Sequence, residues 1–462
     1  MKTILDYIIE NKKNSHISFC APGHKGRTDI VDRTGYGEFY HNMLNADIPD
    51  ISGNKFTTKL IESTEEYYAD LYGVRESRLL TGGTGSGVAA AILSHVPTGG
   101  KLILGRMQSD AVFNTLRIGE ILPVYLDSEF NEEWGVYAGI SPAAVRKACL
   151  DNPDATAILI ESPTYYGAIS DIFEISGIAH RHNKILIVDQ TYGAHLKFFD
   201  AINDTKNAAE DLGADIVIEG TDQNLLSVCG TGVLNICSDR VDIDALDTEL
   251  SGQYGNSYLA LGSLDINEKV IRRYGGDIVT TWIENLNNTY RKLKAIPGLD
   301  IIAGKAHDAT KIAVSLSRFG VSSDQLAREL AAGNVAIERI FGDYVLCQTG
   351  AGNIKSDYQV LINIVSHIAE VYGVVAREKR EELETPDFEL DCTLIPKVRE
   401  SVPLFRAEGR TTYEPIIVYP AALKIACPGE IINIELIGYI TRALENGNAI
   451  EGVDDEGYIT VG

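Results

Sequence analysis

Between residues 55 and 240, short runs of apolar and β-branched residues alternate with stretches whose apolar positions recur at helical spacing. The runs are KLIL at 101–104, TAILI at 156–160, KILIVD at 184–189, DIVIEG at 215–220 and GVLNI at 232–236. Nearly continuous apolar character, rather than strict alternation, marks strands buried on both faces. Helical segments fall between them, from Ser141 to Leu150 and from Ile172 to His180. This succession predicts an α/β unit in which a mainly parallel sheet is covered by helices on both sides.

Beyond it, residues 265–295 carry Val270, Ile271, Ile278, Val279, Trp282, Ile283 and Leu286 at helical spacing, which predicts a long linking helix. A smaller α/β unit follows. A strand is expected within 308–316, a helix over 322–333 capped by a serine and ended by a glycine, and another helix over 357–375. The charge run near 376–390 reads as a solvated helix end and linker. The expected division is an N-terminal arm (1–50), a large domain (51–265), a linker helix with a small α/β domain (266–390) and a C-terminal subdomain (391–462). The arm contains an opening amphipathic helix, the loop Cys20-Ala21-Pro22-Gly23-His24-Lys25-Gly26, and a polar stretch ending in Asp47-Ile48-Pro49-Asp50.

Charge narrows the function classes. The 462 residues carry a formal net charge of −24, which repels phosphate backbones and anionic lipid and argues against nucleic acid or membrane as a partner. Cationic ligands suit this field better, although an acidic surface also serves solubility alone. The seven cysteines are scattered without a C-x-x-C pair, as in reduced cytosolic chains. The apolar stretch at the N-terminus is too short and too interrupted for a signal peptide, and no later run approaches a membrane span, so the expected location is the cytoplasm. H-E-x-x-H, clustered Cys/His and G-x-S-x-G patterns are absent from the sequence, which leaves zinc and serine hydrolysis without support.

Several residues can carry chemistry. Thr81-Gly82-Gly83-Thr84-Gly85-Ser86-Gly87 precedes a helical run, so the amides of Gly85, Ser86 and Gly87 can cradle a phosphate at the positive end of a helix. A merely tight turn accounts for the same glycines. Asp189 ends an apolar strand at the sheet edge where ligands of such folds bind, and an acid there can pair with a protonated ring nitrogen. It can equally serve as a helix cap or loop anchor. Pro163-Thr164-Tyr165-Tyr166-Gly167 offers aromatic surface at the same edge, for packing or for a ligand.

Taken in order, these segments resemble the ornithine/lysine/arginine decarboxylases, a branch of the fold-type I pyridoxal-phosphate (PLP) enzymes with the aspartate-aminotransferase architecture. The landmarks are the Ala21–Gly26 loop, the glycine turn at 81–87, Arg106, Pro163–Gly167, Asp189 with Gly193-Ala194-His195, and Gly213-Ala214-Asp215. Ser257-Tyr258 with Ser263-Leu264-Asp265, Asp308-Ala309-Thr310-Lys311, and Tyr419-Pro420 with Pro428-Gly429-Glu430 complete the series. The resemblance implies a mainly parallel seven-stranded sheet in the large domain and a smaller C-terminal α/β domain. It implies PLP as cofactor, an amino-acid-like ligand, and a homodimer or a heterodimer with an active homologue. It places Gly85, Ser86, Gly87, Ser109, Asp189 and Thr221 around the cofactor, and Gln223, His195 and Tyr192 at catalytic positions.

The departures fall on cofactor contacts. The family's Ser-Thr-His-Lys-Thr-Leu here reads Gly220-Thr221-Asp222-Gln223-Asn224-Leu225, so Gln223 stands at the Schiff-base lysine, and an amide cannot form an aldimine. Ser109 replaces the ring-stacking histidine, and Tyr192 replaces another histidine. The family's Thr-Ser-Pro-Ser-Tyr becomes Tyr254-Gly255-Asn256-Ser257-Tyr258, and its Tyr-Pro-Pro-Gly-Ile-Pro becomes Tyr419-Pro420-Ala421-Ala422-Leu423-Lys424. Three functions stay open. One is a degenerate homologue, acting as a non-catalytic subunit or ligand-binding protein, with PLP non-covalent if bound. Another is an enzyme acting on a preformed PLP–amino acid aldimine, with His195 or His24 as acid and base. The third is an active decarboxylase that recruits Lys25, Lys197 or Lys311.

Overall fold

The computed structural model describes residues 16–27, 29–32, 55–128, 130–131, 136–251, 257–375, 388–419 and 423–462. The opening helix of the arm, the polar stretch ending at Asp50 and most of the charge run at 376–390 lie outside the described residues.

Seven strands form the central sheet: β1 (Glu76–Leu80), β2 (Lys101–Gly105), β3 (Leu122–Leu126), β4 (Ala157–Glu161), β5 (Ile185–Gln190), β6 (Ile216–Glu219) and β7 (Gly232–Ile236). Their spatial order is β1-β7-β6-β5-β4-β2-β3. β7 runs antiparallel to both β1 and β6, and the remaining pairings are parallel. Within the apolar runs the faces separate residue by residue. Leu102, Leu104, Ala157, Leu159 and Ile187 enter one core, while Ile103, Ile158, Ile160, Leu186 and Val188 enter the other. The first core is closed by helices α1 (Thr84–His95) and α2 (Asp110–Gly119), the second by helices Pro142–Asp151 and Ile172–Arg181. The five strands expected from apolar runs are all present. The two that no run announced, β1 and β3, are the two edges of the sheet, where one unpaired side admits Arg78, Pro123 and Tyr125.

The linking helix α3 spans Tyr258–Lys294 and begins ahead of the expected residue 265. Its first turns bury Ser263, Asn267 and Glu268 among apolar neighbours, which hides the helical period in the sequence. Asn267 serves the fold there, accepting from Leu226 N–H at 2.9 Å and donating to the Tyr68 hydroxyl at 3.0 Å. After α3, strands Asp300–Ile301, Lys311–Ser315, Arg339–Phe341 and Tyr344–Gln348 make an antiparallel sheet, packed by helices Ser323–Ala332 and Lys355–Tyr372. The arm strand Ile17–Phe19 pairs in parallel with Val335–Ile337.

Residues 388–462 bury a further apolar cluster around Ile416, Leu436 and Ile440. They are clamped to the central sheet by Arg106, whose guanidinium donates to both oxygens of buried Glu430 at 2.8 and 2.7 Å. The Tyr125 hydroxyl adds a bond of 2.7 Å to the Pro428 carbonyl. Strands Ile416–Val418 and Leu423–Ala426 are thereby held over the carboxyl edge of the sheet.

Candidate active site

A cleft of about 600 Å³ opens at that edge. Its floor comes from strand ends. Glu161 and Asp189 are register partners on β4 and β5, so two carboxyl groups leave the sheet side by side. Asp189 Oδ1 accepts from the Thr191 N–H at 3.1 Å and from its hydroxyl at 2.5 Å. Burial still lifts the Asp189 carboxyl above its ordinary range. Glu161 is pushed up to about 8, first by burial and then by the neighbouring Asp189 charge, while the Tyr165 N–H donates to its Oε1 at 2.8 Å. The walls are aromatic, from Tyr165, Tyr166, Tyr192, Phe341 and Tyr419. Two cations line the same space, Arg339 and Lys424.

The Glu161 carboxyl couples the cleft to stability. Between its ordinary value near 4.5 and about 8, the folded chain holds a proton that the unfolded chain releases. The carboxyl therefore costs nothing below pH 4.5, and its cost grows as pH rises through the folded value and is complete above it. Glu161→Gln removes that cost and keeps an acceptor for Tyr165. The variant is expected to match the parent at pH 5 and to exceed it by on the order of 3 kcal/mol at pH 9, after allowing for contact with cleft water. Urea midpoints at pH 5, 7 and 9 measure this, and a difference that does not change with pH refutes it.

The glycine turn behaves differently at each position. Thr84 and Gly85, at the start of α1, line the cleft. Ser86 does not, because its N–H and hydroxyl both bond the Gly83 carbonyl, at 3.2 and 2.6 Å. Gly87 is set by packing, since a Cβ there would lie 2.6 Å from Leu80 Cδ1 and 3.5 Å from Ile218 Cγ2. Of the residues 85–87 expected to cradle an anion, only Gly85 lines the cleft, beside Thr84, and the N-cap Gly83 has no side chain to occupy the helix amides there. Ser109 lines the cleft as the N-cap of α2, and its side chain caps no amide.

The other expected site residues, Tyr192 apart, do not line the cleft. Gln223, expected to point between Asp189 and the glycine turn, is not among the lining residues. Its side-chain amide donates to Asp222 Oδ1 at 3.2 Å, and its backbone carbonyl accepts from Gln348 Nε2 at 2.8 Å. Thr221 is buried in a hydroxyl chain, accepting from Ser227, which accepts from Thr231, at 2.8 and 2.7 Å. His195 is fully buried between Phe199 and Trp282. Asn224 must present its NH₂ to the Tyr192 carbonyl at 2.7 Å, so the same group donates to His195 Nδ1 at 2.8 Å, and His195 Nε2 donates to Asp308 at 3.1 Å. Acid–base work on a ligand in the cleft is out of reach of that imidazole. His24 Nδ1 accepts from the Gly26 N–H at 3.0 Å and also lies off the cleft.

None of Lys25, Lys197 and Lys311 lines the cleft. Lys197 pairs with Asp211 at 2.6 Å. Lys25 donates to the Cys20 and Gln348 carbonyls at 2.6 and 3.0 Å, and Lys311 to Gln348 Oε1 at 2.5 Å, behind the Tyr192 and Tyr165 rings. Burial pushes both of these amines down to about 8. The lysine that does line the cleft is Lys424, at the end of the stretch Tyr419–Lys424. Glu161, Glu338, Arg339 and Glu451 are lining residues that no motif announced.

The cleft fits part of PLP. Thr84 and Gly85 offer an uncapped helix end for a phosphate, and Asp189 offers a carboxyl for a ring nitrogen, in a volume suited to a molecule of that size. Gln223 has no amine and is not among the residues that line the cleft, so it offers PLP no covalent anchor.

Residues 2–313 match the Orn/Lys/Arg decarboxylase, major domain. Arginine decarboxylase of Bacillus subtilis is 26% identical over 461 residues, covering 95% of this chain and 93% of that protein. The Francisella novicida lysine decarboxylase structure superposes with a TM-score of 0.73 at 16% identity, over 99% of this chain and 80% of that one. Ureidoglycine-glyoxylate aminotransferase from Bacillus subtilis superposes at 0.58 with 14% identity, over 78% of this chain and 95% of that one. The fold is that of the fold-type I PLP enzymes. With a match that spans the sheet, the linking helix and the start of the small unit, the chain belongs to the Orn/Lys/Arg decarboxylase family.

Proposed function

We propose that this chain is a divergent homologue of the basic amino-acid decarboxylases that has lost lysine-based decarboxylation and acts as a non-catalytic subunit or ligand-binding protein. The observation that carries this reading is the fate of position 223, where a glutamine is tied to Asp222 away from the cleft. Asp189 and the open end of α1 support retention of a PLP-like ligand without a covalent bond. PLP, when bound, supplies an electron-withdrawing ring. The chain's own residues orient it and shield it with the tyrosine walls. Among the described residues no helix is long and apolar enough to cross a membrane.

An absorbance spectrum with and without added PLP tests this. The expected result is a shift in the PLP spectrum that borohydride does not fix to the protein, with no CO₂ released from arginine, lysine or ornithine. A band fixed by borohydride, or measurable CO₂, refutes it. The retained Asp189 and helix end also favour a second reading, an enzyme that receives PLP already joined to an amino acid. Titration with both together discriminates, since that enzyme would change the spectrum only when the amino acid is present.

A further inference from the structure

We propose that Lys424 holds the phosphate end of the ligand in this cleft, replacing by an ionic contact the retention that position 223 no longer supplies covalently. The inference rests on the reading that the cleft takes a PLP-like ligand. Lys424 lies on the strand Leu423–Ala426 and reaches across to the central sheet, where its Nζ donates to the Gln108 carbonyl at 2.6 Å. The same ammonium stands 5.1 Å from the centre of the Phe113 ring. Among the described residues it has no carboxylate within ion-pair distance, so an ammonium with three donors uses one of them. The family stretch quoted above has a proline where this chain has Lys424.

Its surroundings are built for an anion. Gln108 immediately precedes Ser109, the cap of α2, and α1 starts at Thr84 beside it. A Cβ on Gly85 would lie 3.1 Å from Ala111 Cβ, so two helix N-termini converge, and neither is closed by a cap side chain. The Gln108 side chain supplies an independent sign of a missing partner. It lines the cleft at 4% exposure, and its Oε1 has no hydrogen bond. Turned end for end, that amide offers N–H donors in the same volume.

Among the described residues no carboxylate of the cleft forms an ion pair with Lys424. Glu338 accepts from the Ala21 N–H at 2.9 Å and the Tyr165 hydroxyl at 2.8 Å, and Glu451 accepts from the Tyr419 hydroxyl at 2.9 Å. Glu161, the acid that feels the Lys424 charge, keeps its proton at neutral pH because of burial. A half-buried ammonium beside two open helix ends, with no ion-pair partner among the described residues, is the arrangement that takes up a phosphate monoester.

The full chain is titrated with PLP, with pyridoxal and with inorganic phosphate, for the parent, Lys424→Met and Lys424→Arg, and thermal melts confirm that each is folded. Lys424→Met is expected to weaken PLP binding about 10- to 100-fold, and Lys424→Arg by less than about tenfold. Pyridoxal, which lacks the phosphate, should bind parent and variants alike. Inorganic phosphate should compete with PLP in the parent and lose that competition in Lys424→Met. If folded Lys424→Met binds PLP within about twofold of the parent, or if pyridoxal suffers as much as PLP, the role of Lys424 is overturned while the ligand-binding reading stands. If the parent binds no PLP, both fall. Should Lys424→Met fail to fold, Lys424→Gln carries the same comparison.

Discussion

Asp308→Ala is expected to lower the stability of the folded chain by about 3–5 kcal/mol, as for removal of one partner from a buried polar pair. The carboxylate is 3% exposed and receives three donors: His195 Nε2 at 3.1 Å, Thr310 N–H at 2.9 Å and the Thr310 hydroxyl at 2.8 Å. Burial alone would raise this carboxyl, but His195 and the Thr310 donors outweigh it and hold it down at about 2. Its stabilisation is therefore present above the ordinary value near 3.8 and is lost only as pH falls through about 2. The loss in Asp308→Ala should be constant from pH 5 to 9, in contrast to the pH-dependent gain from Glu161→Gln. Asp308→Asn keeps an acceptor toward His195 and should cost markedly less. Urea unfolding of the two variants decides the matter, and equal losses would mean that volume rather than hydrogen bonding sets the cost.

The second large effect is expected at Gly23. The loop at 21–26 lies directly on the segment that contains Gln223, through Gly23 N–H to the Asp222 carbonyl at 2.9 Å. A third segment closes over both, with Gly352 N–H on the Gly23 carbonyl and Ala351 N–H on the Asn224 carbonyl, each at 2.9 Å. A Cβ at Gly23 would lie 2.3 Å from the Asn224 carbonyl carbon and 2.4 Å from the Leu225 oxygen. Backbone cannot swing aside as a flexible side chain does. Gly23→Ala should therefore cost on the order of 3 kcal/mol and expose the arm to limited proteolysis. Gly26→Ala is the control. That glycine has φ of 67° with nothing within 4 Å of an added Cβ, so its cost is the left-handed backbone alone, roughly 1 kcal/mol. Equal urea midpoints for the two variants would show that the interlock is looser than the packing implies.

Both predictions concern the polar framework behind the cleft. That framework explains why family landmarks persist around an altered site. His195 and Asp308 join the loop after β5, the segment after β6 and the small sheet through Asn224, so they hold three parts of the chain together whatever the cleft contains. Read along the sequence, the histidine six residues past Asp189 looks like a candidate acid or base. Only the structure shows that it is buried against Trp282 and hydrogen-bonded to Asn224 and Asp308, off the cleft.

The sequence by itself determined the central sheet, the linking helix and the family, and the resemblance puts a glutamine where the family has its Schiff-base lysine. Strands buried on both faces must be apolar throughout, helices must repeat at their own period, and an amide at position 223 cannot do the chemistry of an amine. Edge strands β1 and β3 escaped because one exposed side relaxes that demand, and the first turns of α3 because buried hydrogen bonds allow polar residues inside. Tertiary structure alone decided which side chains share the cleft. Lys424 meets Gln108 across 316 positions of sequence, and Glu338 and Arg339 arrive from the small sheet. No local pattern encodes such meetings, because they depend on how separately folded segments dock. The same docking turned Thr221 and His195 inward, where each satisfies a buried partner, and left half-buried Gln223 on Asp222, off the cleft.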